Sequence, residues 1–272
     1  MYGLAAVLVK SRPPVIRRVF TTHRNIHLLR ELIRRDFNAR FTGSALGLAW
    51  AVLQPLSLVV LYWFVFTYMF PGGVGGHSGG YIYFLVAGLI PWIAINEGVM
   101  RSTTSIVENA AMVRKLSFRS ELLVVVPNAS AMIFECVALG LFLVPVLSRG
   151  SGLRMIWLLP FALVLQLALQ LGVALGLAAI YVFFRDLTQI LGFVLSIVFY
   201  LSPILYTVPQ RFQKFFLWNP MTPLLGLFRS AILSDALPGA GSIVFLVTVA
   251  GIVFVGGLKF FRRAQPSLVD LV

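Results

Sequence analysis

From Phe41 to Asn96 the chain carries no Lys, Arg, Asp or Glu. Water does not readily solvate so long an uncharged, largely apolar stretch. At a rise of about 1.5 Å per residue it can cross a hydrocarbon core of about 30 Å twice. The stretch marks an integral membrane protein, and the remainder agrees. Mean hydropathy is +0.93 and 59% of residues are apolar, above the roughly half typical of soluble domains. The 272 residues leave room for about six spans and their loops, but not for an added soluble catalytic domain. The single cysteine, Cys136, excludes an intramolecular disulfide, and His23, His27 and His77 show no ligand spacing, so no metal site is expected. The apolar MYGLAAVLV precedes the first charges rather than following them, so no cleavable signal peptide is expected.

Hydropathy places six spans at about 45–69, 81–101, 122–147, 155–184, 189–207 and 242–259. The expected organisation is a cytoplasmic segment 1–44, a transmembrane domain 45–259 and a cytoplasmic tail 260–272. With the N-terminus inside, only Arg149, Arg154, Arg211, Lys214 and Arg229 fall outside, and the other 17 of the 22 basic residues fall inside. That asymmetry sets an N-in, C-in orientation. It also explains the net charge of +13 by orientation and anionic-lipid contact rather than by nucleic-acid binding. The expected fold class is therefore an all-α, multi-pass membrane protein with six transmembrane helices.

Two cytoplasmic segments and one outer segment stand apart. Over 24–40, Leu28, Leu29, Leu32, Ile33 and Phe37 recur at helical spacing, with Arg30, Arg34, Arg35 and Asp36 on the polar side. This is an amphipathic helix for the cytoplasmic interface, either a plain anchor or part of a docking surface. Between spans two and three, RSTTSIVENAAMVRKLSFRSE has the composition of a short helix parallel to the membrane, whereas PGGVGGHSGG is a flexible connector. The stretch between spans five and six has prolines at 203, 209, 220 and 223 and apolar runs too short to span. It reads as two short half-inserted outer helices broken at Asn219-Pro220, since irregular backbone at membrane depth needs protein or water around it.

No phosphate-binding GxxxxGK[ST], no HExxH, no GxSxG and no pair of catalytic carboxylates occurs, so ATP hydrolysis is not expected of this chain. Two acids lie within spans, Glu97 and Glu135. Such a residue faces the bundle interior, water or a partner. It is either a structural, hydrogen-bonded group or the proton site of a secondary carrier, and Arg101 is an i,i+4 partner for Glu97. Gly43 with Gly47 and Gly172 with Gly176 have the spacing of close helix contacts, within the chain or across a homodimer. Tyr62, Trp63, Phe66, Tyr68, Tyr81, Tyr83, Trp92, Tyr200 and Tyr206 gather towards the outer span ends. They form either an interfacial belt or a pore wall on which sugar rings stack.

RRDFNARFTGSALGLAWAVLQPL (34–56), GLIPWIAINEGVMRSTTSIVENAAMVRKLSF (88–118), FRDL (184–187), LSPILY (201–206) and NPMTPLLGLFRSAIL (219–233) together resemble, in order, the type-2 ABC exporter permeases. The similarity is to those that export O-antigen, capsule polysaccharide and teichoic acid. Arg119 departs from the pattern, where relatives often carry proline. The resemblance implies a homodimer in the bacterial inner membrane, two separate ATPase subunits that hold ATP and Mg, and a lipid-linked polysaccharide as cargo. It implies ATPase contacts at Arg34, Arg35, Glu108, Asn109, Arg114 and Lys115, with Arg185 and Asp186 at a second inner turn, through helices 24–40 and 104–117. It implies a glycan channel drawn from Tyr62, Trp63, Phe66, Tyr81, Tyr83, Trp92, Tyr200 and Tyr206, and an outer gate at Asn219, Pro220 and Arg229. Exporters of drugs or small lipids are the nearer alternative, and a proton-driven carrier using Glu97 or Glu135 the more distant one.

Overall fold

The computed structural model describes residues 14–41, 47–69, 80–115, 120–148 and 155–271, and among these there is helix and no strand. The helices are α1 (Pro14–Phe41), α2 (Trp50–Phe64, continued by a wider turn Val65–Met69), α3 (Tyr81–Glu108), α4 (Ala110–Lys115), α5 (Glu121–Ser148), α6 (Leu158–Phe183), α7 (Leu187–Leu201), α8 (Gln213–Phe216), α9 (Met221–Leu233) and α10 (Ala240–Leu271). Gly43, the connector 71–79, Arg119 and the side chains of Arg114 and Lys115 lie outside the described residues.

Tyr81–Glu108, Glu121–Val144, Leu158–Phe183 and Ala240–Gln265 are long and apolar enough to cross a membrane. Leu53–Met69 and Leu187–Leu201 are shorter apolar helices at the places where spans one and five were expected, and Met221–Leu233 is a third. The all-helical class holds, while the described helices give four full-length apolar candidates rather than six. The shortening of α7 has a local cause. Ser202 precedes Pro203, the proline ring disfavours helical geometry at the residue before it, and Ser202 is extended at φ −100°, ψ 144°.

α3 is the central post, packed on α2, α5, α6, α7 and α9. Leu85, Leu89, Ile106, Leu224, Leu225 and Phe228 are shut inside the bundle. At the α3–α5 contact Asn128 Nδ2 donates to Ser102 Oγ at 2.6 Å, and Ser102 Oγ donates to the Val124 carbonyl at 2.9 Å. Gly98 makes room for this lock, because a Cβ there would lie 2.8 Å from Asn128 Oδ1. The two glycines of the Gly172–Gly176 pair differ. Gly172 lies against the α10 backbone at Val253 and Phe254 and faces Gly257, whereas Gly176 has open space where a Cβ would be. Proximity between two helices is a tertiary property, and spacing along one helix does not specify it.

Three boundaries also move. Helix 104–117 is not one unit: α3 continues to Glu108, and Asn109 turns the chain into α4 while its Nδ2 donates to the Ser105 carbonyl at 2.8 Å. Beyond the expected sixth span, α10 continues unbroken through most of the expected tail. Of the two short outer helices, the first is one 3-10 turn (Gln210–Phe212) and the single turn of α8, with Phe215 and Trp218 exposed. The second is α9, which begins after Asn219-Pro220 as expected but is core, with Leu224, Leu227, Phe228 and Ala231 fully buried.

Candidate functional site

The charges that border the uncharged stretch meet each other. Arg40, the last charge before it, donates to both oxygens of Glu97, the first charge after it: Nη1 to Oε1, and Nη2 to Oε2 at 2.8 Å. Arg101, on the next turn of α3, approaches Glu97 Oε1 at 3.4 Å and pairs through Nη2 with Asp36 Oδ1. Two acids and two arginines thus clasp α1 to α3. A chain that leaves an interface and returns to it brings the two flanks of the excursion to one side, which is the sequence signal for this pairing. The Arg40 guanidinium also lies 4.5 Å from the centroid of the Phe134 ring, on which Phe37 stacks at 4.6 Å, so α1 is held on α5 as well.

Against the clasp is a cavity of about 670 Å³ lined by α2, α3 and α7 and by the clasp residues Arg40, Glu97 and Arg101. Tyr62, Trp92, Phe199 and Tyr200 contribute its rings, and Gln54 and Asn96 its uncharged polar groups. Tyr62 and Trp92 both contact Phe199, with centroids 5.9 and 5.7 Å away. Of the eight expected channel aromatics, the structure brings Tyr62, Trp92 and Tyr200 together here, with Phe199 added. The other five do not line this cavity. Tyr81 is buried and its hydroxyl donates to the Leu205 carbonyl at 2.9 Å. Phe66 packs on Tyr81, Tyr83 on Phe142, and Trp63 on Tyr68. Tyr206 donates to the Tyr200 carbonyl at 2.6 Å. Helical phase divides them: neighbours on one helix point to different faces, and only one face borders the cavity.

A second concavity, of about 360 Å³, runs between α1, the end of α3, α4 and α5. Arg35, Asp36, Glu108, Asn109 and Met112 line it, so three of the expected ATPase-contact residues, Arg35, Glu108 and Asn109, share one groove. Arg34 is exposed on α1 and does not line the groove. Arg185 and Asp186 are exposed in the turn between α6 and α7, also away from it.

At the opposite end of α7, the carbonyls freed by the break at Pro203 are supplied with donors from outside the helix. Arg229 Nη2 donates to Pro203 at 2.6 Å and to Ile204 at 3.2 Å, and Asn219 Nδ2 donates to Leu201 at 3.1 Å. Asn219 Oδ1 in turn accepts the Met221 amide at 2.9 Å, which starts α9. Pro220 supplies the fixed φ, −63°, that precedes the first turn. These are the three expected outer-gate residues, and they hold a break in the backbone together. Within the bundle, Glu135 is buried and Gln166 Nε2 donates to its Oε2 at 2.5 Å. Gln166 and the equally buried Gln170 were not anticipated; two glutamines one turn apart in an otherwise apolar span are the signal.

Residues 27–233 match the family model for the ABC-2 type transporter. The chain belongs to the ABC-2 type transporter family. The match opens in α1 and closes at the last residue of α9, so both sides of the clasp, the aromatic cavity, the groove and the outer turn all fall within it. This ABC-2 chain is similar to the O-antigen export system permease protein RfbA of Myxococcus xanthus, 27% identical over 269 residues, covering 95% of this chain and 100% of the relative. It is 26% identical over 254 residues to the RfbA of Klebsiella pneumoniae, covering 90% and 95%. It is 22% identical over 244 residues to the polysialic acid transport protein KpsM of Escherichia coli, covering 88% and 93%.

Proposed function

We propose that this ABC-2 chain is the transmembrane permease subunit of an exporter that moves a lipid-linked polysaccharide of the O-antigen class outward across the bacterial inner membrane. The cavity beside the clasp carries the reading. Its lining includes the rings of Tyr62, Trp92, Phe199 and Tyr200 and the amides of Gln54 and Asn96. Aromatic faces stack on sugar rings without fixing the ligand at one register, while amides exchange hydrogen bonds as hydroxyls pass. A wall of this kind suits a polymer that slides. The names and lengths of the relatives support the same cargo class.

In this reading six helices cross the membrane, with α2 and α7 as the short first and fifth spans and both termini in the cytoplasm. The chain works as a homodimer, since one copy lines only part of a conduit. Two separate ATPase subunits dock at the groove formed by α1, α3, α4 and α5. ATP and Mg are held there, not by this chain. Closure of the ATPases pushes on that groove, and the clasp transmits the push from α1 to α3, which forms the cavity wall. ATP drives transport only because it favours one arrangement of the bundle over the other. Asn219, Pro220 and Arg229 hold the outer gate.

A second reading rests on one observation: Glu135 is a buried carboxyl with one oxygen unpartnered, as a proton carrier would need. Glu97, by contrast, is engaged by two arginines. In a deletion strain, lipid-linked glycan should accumulate on the cytoplasmic side and clear when the gene is restored. Normal surface glycan in the deletion strain would refute the proposal.

A further inference from the structure

We propose that the cavity beside Arg229 is a binding site for a phosphate group. Arg229 lies in the third turn of α9 and is 9% exposed. Burying a guanidinium is costly unless an anion or a dense set of acceptors compensates. Its Nη2 uses the Pro203 and Ile204 carbonyls, and the Phe84 ring lies 3.5 Å from the guanidinium carbon. Nε is buried with no hydrogen-bond partner. Among the described residues no carboxylate lies within ion-pair distance of it; the acid whose field reaches it is Asp235, exposed beyond the end of α9. Two neutral carbonyls and a ring moderate the charge but do not cancel it.

Arg229 lines a cavity of about 330 Å³ that no Asp or Glu lines. Thr222, on the same face of α9, also lines it, and its Oγ1 is buried without a partner. Thr222 is in the first turn of α9 and Ser242 in the first turn of α10, and both line this space. Two glycines fit the backbone to it. A Cβ on Gly88 would lie 3.1 Å from Arg229 Nη2, and one on Gly226 would lie 2.8 Å from the Pro238 ring that closes the cavity. An uncancelled planar guanidinium with a free Nε–H and an unpaired hydroxyl match the acceptor oxygens of a phosphate. The site does not depend on the cargo proposed above, because the phosphate can belong to any membrane lipid or be free in solution.

The full-length chain in phosphatidylcholine nanodiscs is titrated with inorganic phosphate and with farnesyl diphosphate, followed by phosphorus NMR line broadening. A parallel set carries phosphatidylglycerol in the discs. Saturable binding is expected, weakened at least tenfold by Arg229→Gln and several-fold by Thr222→Val, and tightened by Asp235→Asn, which removes the competing carboxylate. Tighter binding of farnesyl diphosphate than of phosphate assigns the group to a polyisoprenyl carrier. Competition by phosphatidylglycerol assigns it to a lipid headgroup, and equal affinities assign it to the free anion. If Arg229→Gln does not fold, Thr222→Val and Asp235→Asn carry the test. Wild type that binds none of the three probes, or Thr222→Val and Asp235→Asn proteins that bind as wild type does, would overturn the site and leave Arg229 as a brace for the end of α7.

Discussion

Gly172→Ala is expected to loosen the bundle, while Gly176→Ala, one turn along the same helix, is not. A Cβ at Gly172 would lie 2.5 Å from the Val253 carbonyl oxygen and 2.6 Å from the Phe254 amide nitrogen. Both are backbone atoms and cannot rotate aside. Ordinary contact begins near 3.4 Å, so α6 and α10 must part locally by about 0.9 Å, the difference from 2.5 Å. A gap of about 0.5–1 Å forfeits a quarter to a half of each dispersion well along the seam. That seam includes the buried Leu246, Ala250 and Phe261 of α10. Overpacking of this kind costs about 1–3 kcal/mol, and the helix propensity of Ala returns up to about 1 kcal/mol. At Gly176 nothing lies within 4 Å of the added methyl, so only the propensity gain remains. The propensity gain is common to both, so the two variants should differ by about 1–3 kcal/mol, which corresponds to roughly 2–12 °C in Tm at about 2–4 °C per kcal/mol. Thermal unfolding in detergent, followed by loss of monodispersity, measures it. Equal Tm values for the two variants would refute the packing argument.

The remaining expectations concern the clasp, the cavity and the groove. Glu97→Gln leaves Arg40 and Arg101 facing one neutral amide; with all four side chains partly exposed, about 1–3 kcal/mol of stability should go, and charge reversal at both positions (Glu97→Arg with Arg40→Glu) should restore part of it, as a double-mutant cycle reads out. Trp92→Ala with Tyr200→Ala should cut glycan export by about tenfold or more with ATPase activity kept, scaling from about 1 kcal/mol or more per lost ring contact; export at wild-type rate would remove those rings from the conduit. Glu108→Ala with Arg114→Ala should leave the chain folded but uncouple ATP hydrolysis from export; Glu108 is exposed, and an exposed substitution costs under about 0.5 kcal/mol. Unchanged export in that double variant would withdraw those two residues from the ATPase contact.

The membrane class was legible because hydropathy is a one-dimensional property, and the clasp sits at the edges of the feature that announced it. Asn219-Pro220 was legible as a break because proline acts locally. What stayed hidden was relational. Gly172 meets α10 at Gly257 while Gly176 has open space beside it, since which helix lies opposite is decided by tertiary packing. Tyr81 and Tyr83 look alike beside Tyr62 and Trp92, yet two residues along α3 turn one hydroxyl to the Leu205 carbonyl and the other ring to Phe142. α9 reads as a stray outer segment because it is too short to span, but its Leu224, Leu225 and Phe228 are as deeply buried as any in α3. Arg229 could be placed near the outer break from sequence. Its isolation from carboxylates could not.

The central claim is that this chain carries a lipid-linked glycan when an ATPase drives it. The direct measurement is transport in proteoliposomes holding the chain and its partner ATPase, with labelled lipid-linked glycan on the outer, ATP-accessible leaflet of inverted particles. Glycan should move into the lumen once ATP and Mg are added, ignore dissipation of the proton gradient, and stop in the Trp92→Ala, Tyr200→Ala chain. Movement that persists without ATP and collapses with the proton gradient would contradict it and return Glu135 to the centre of the mechanism.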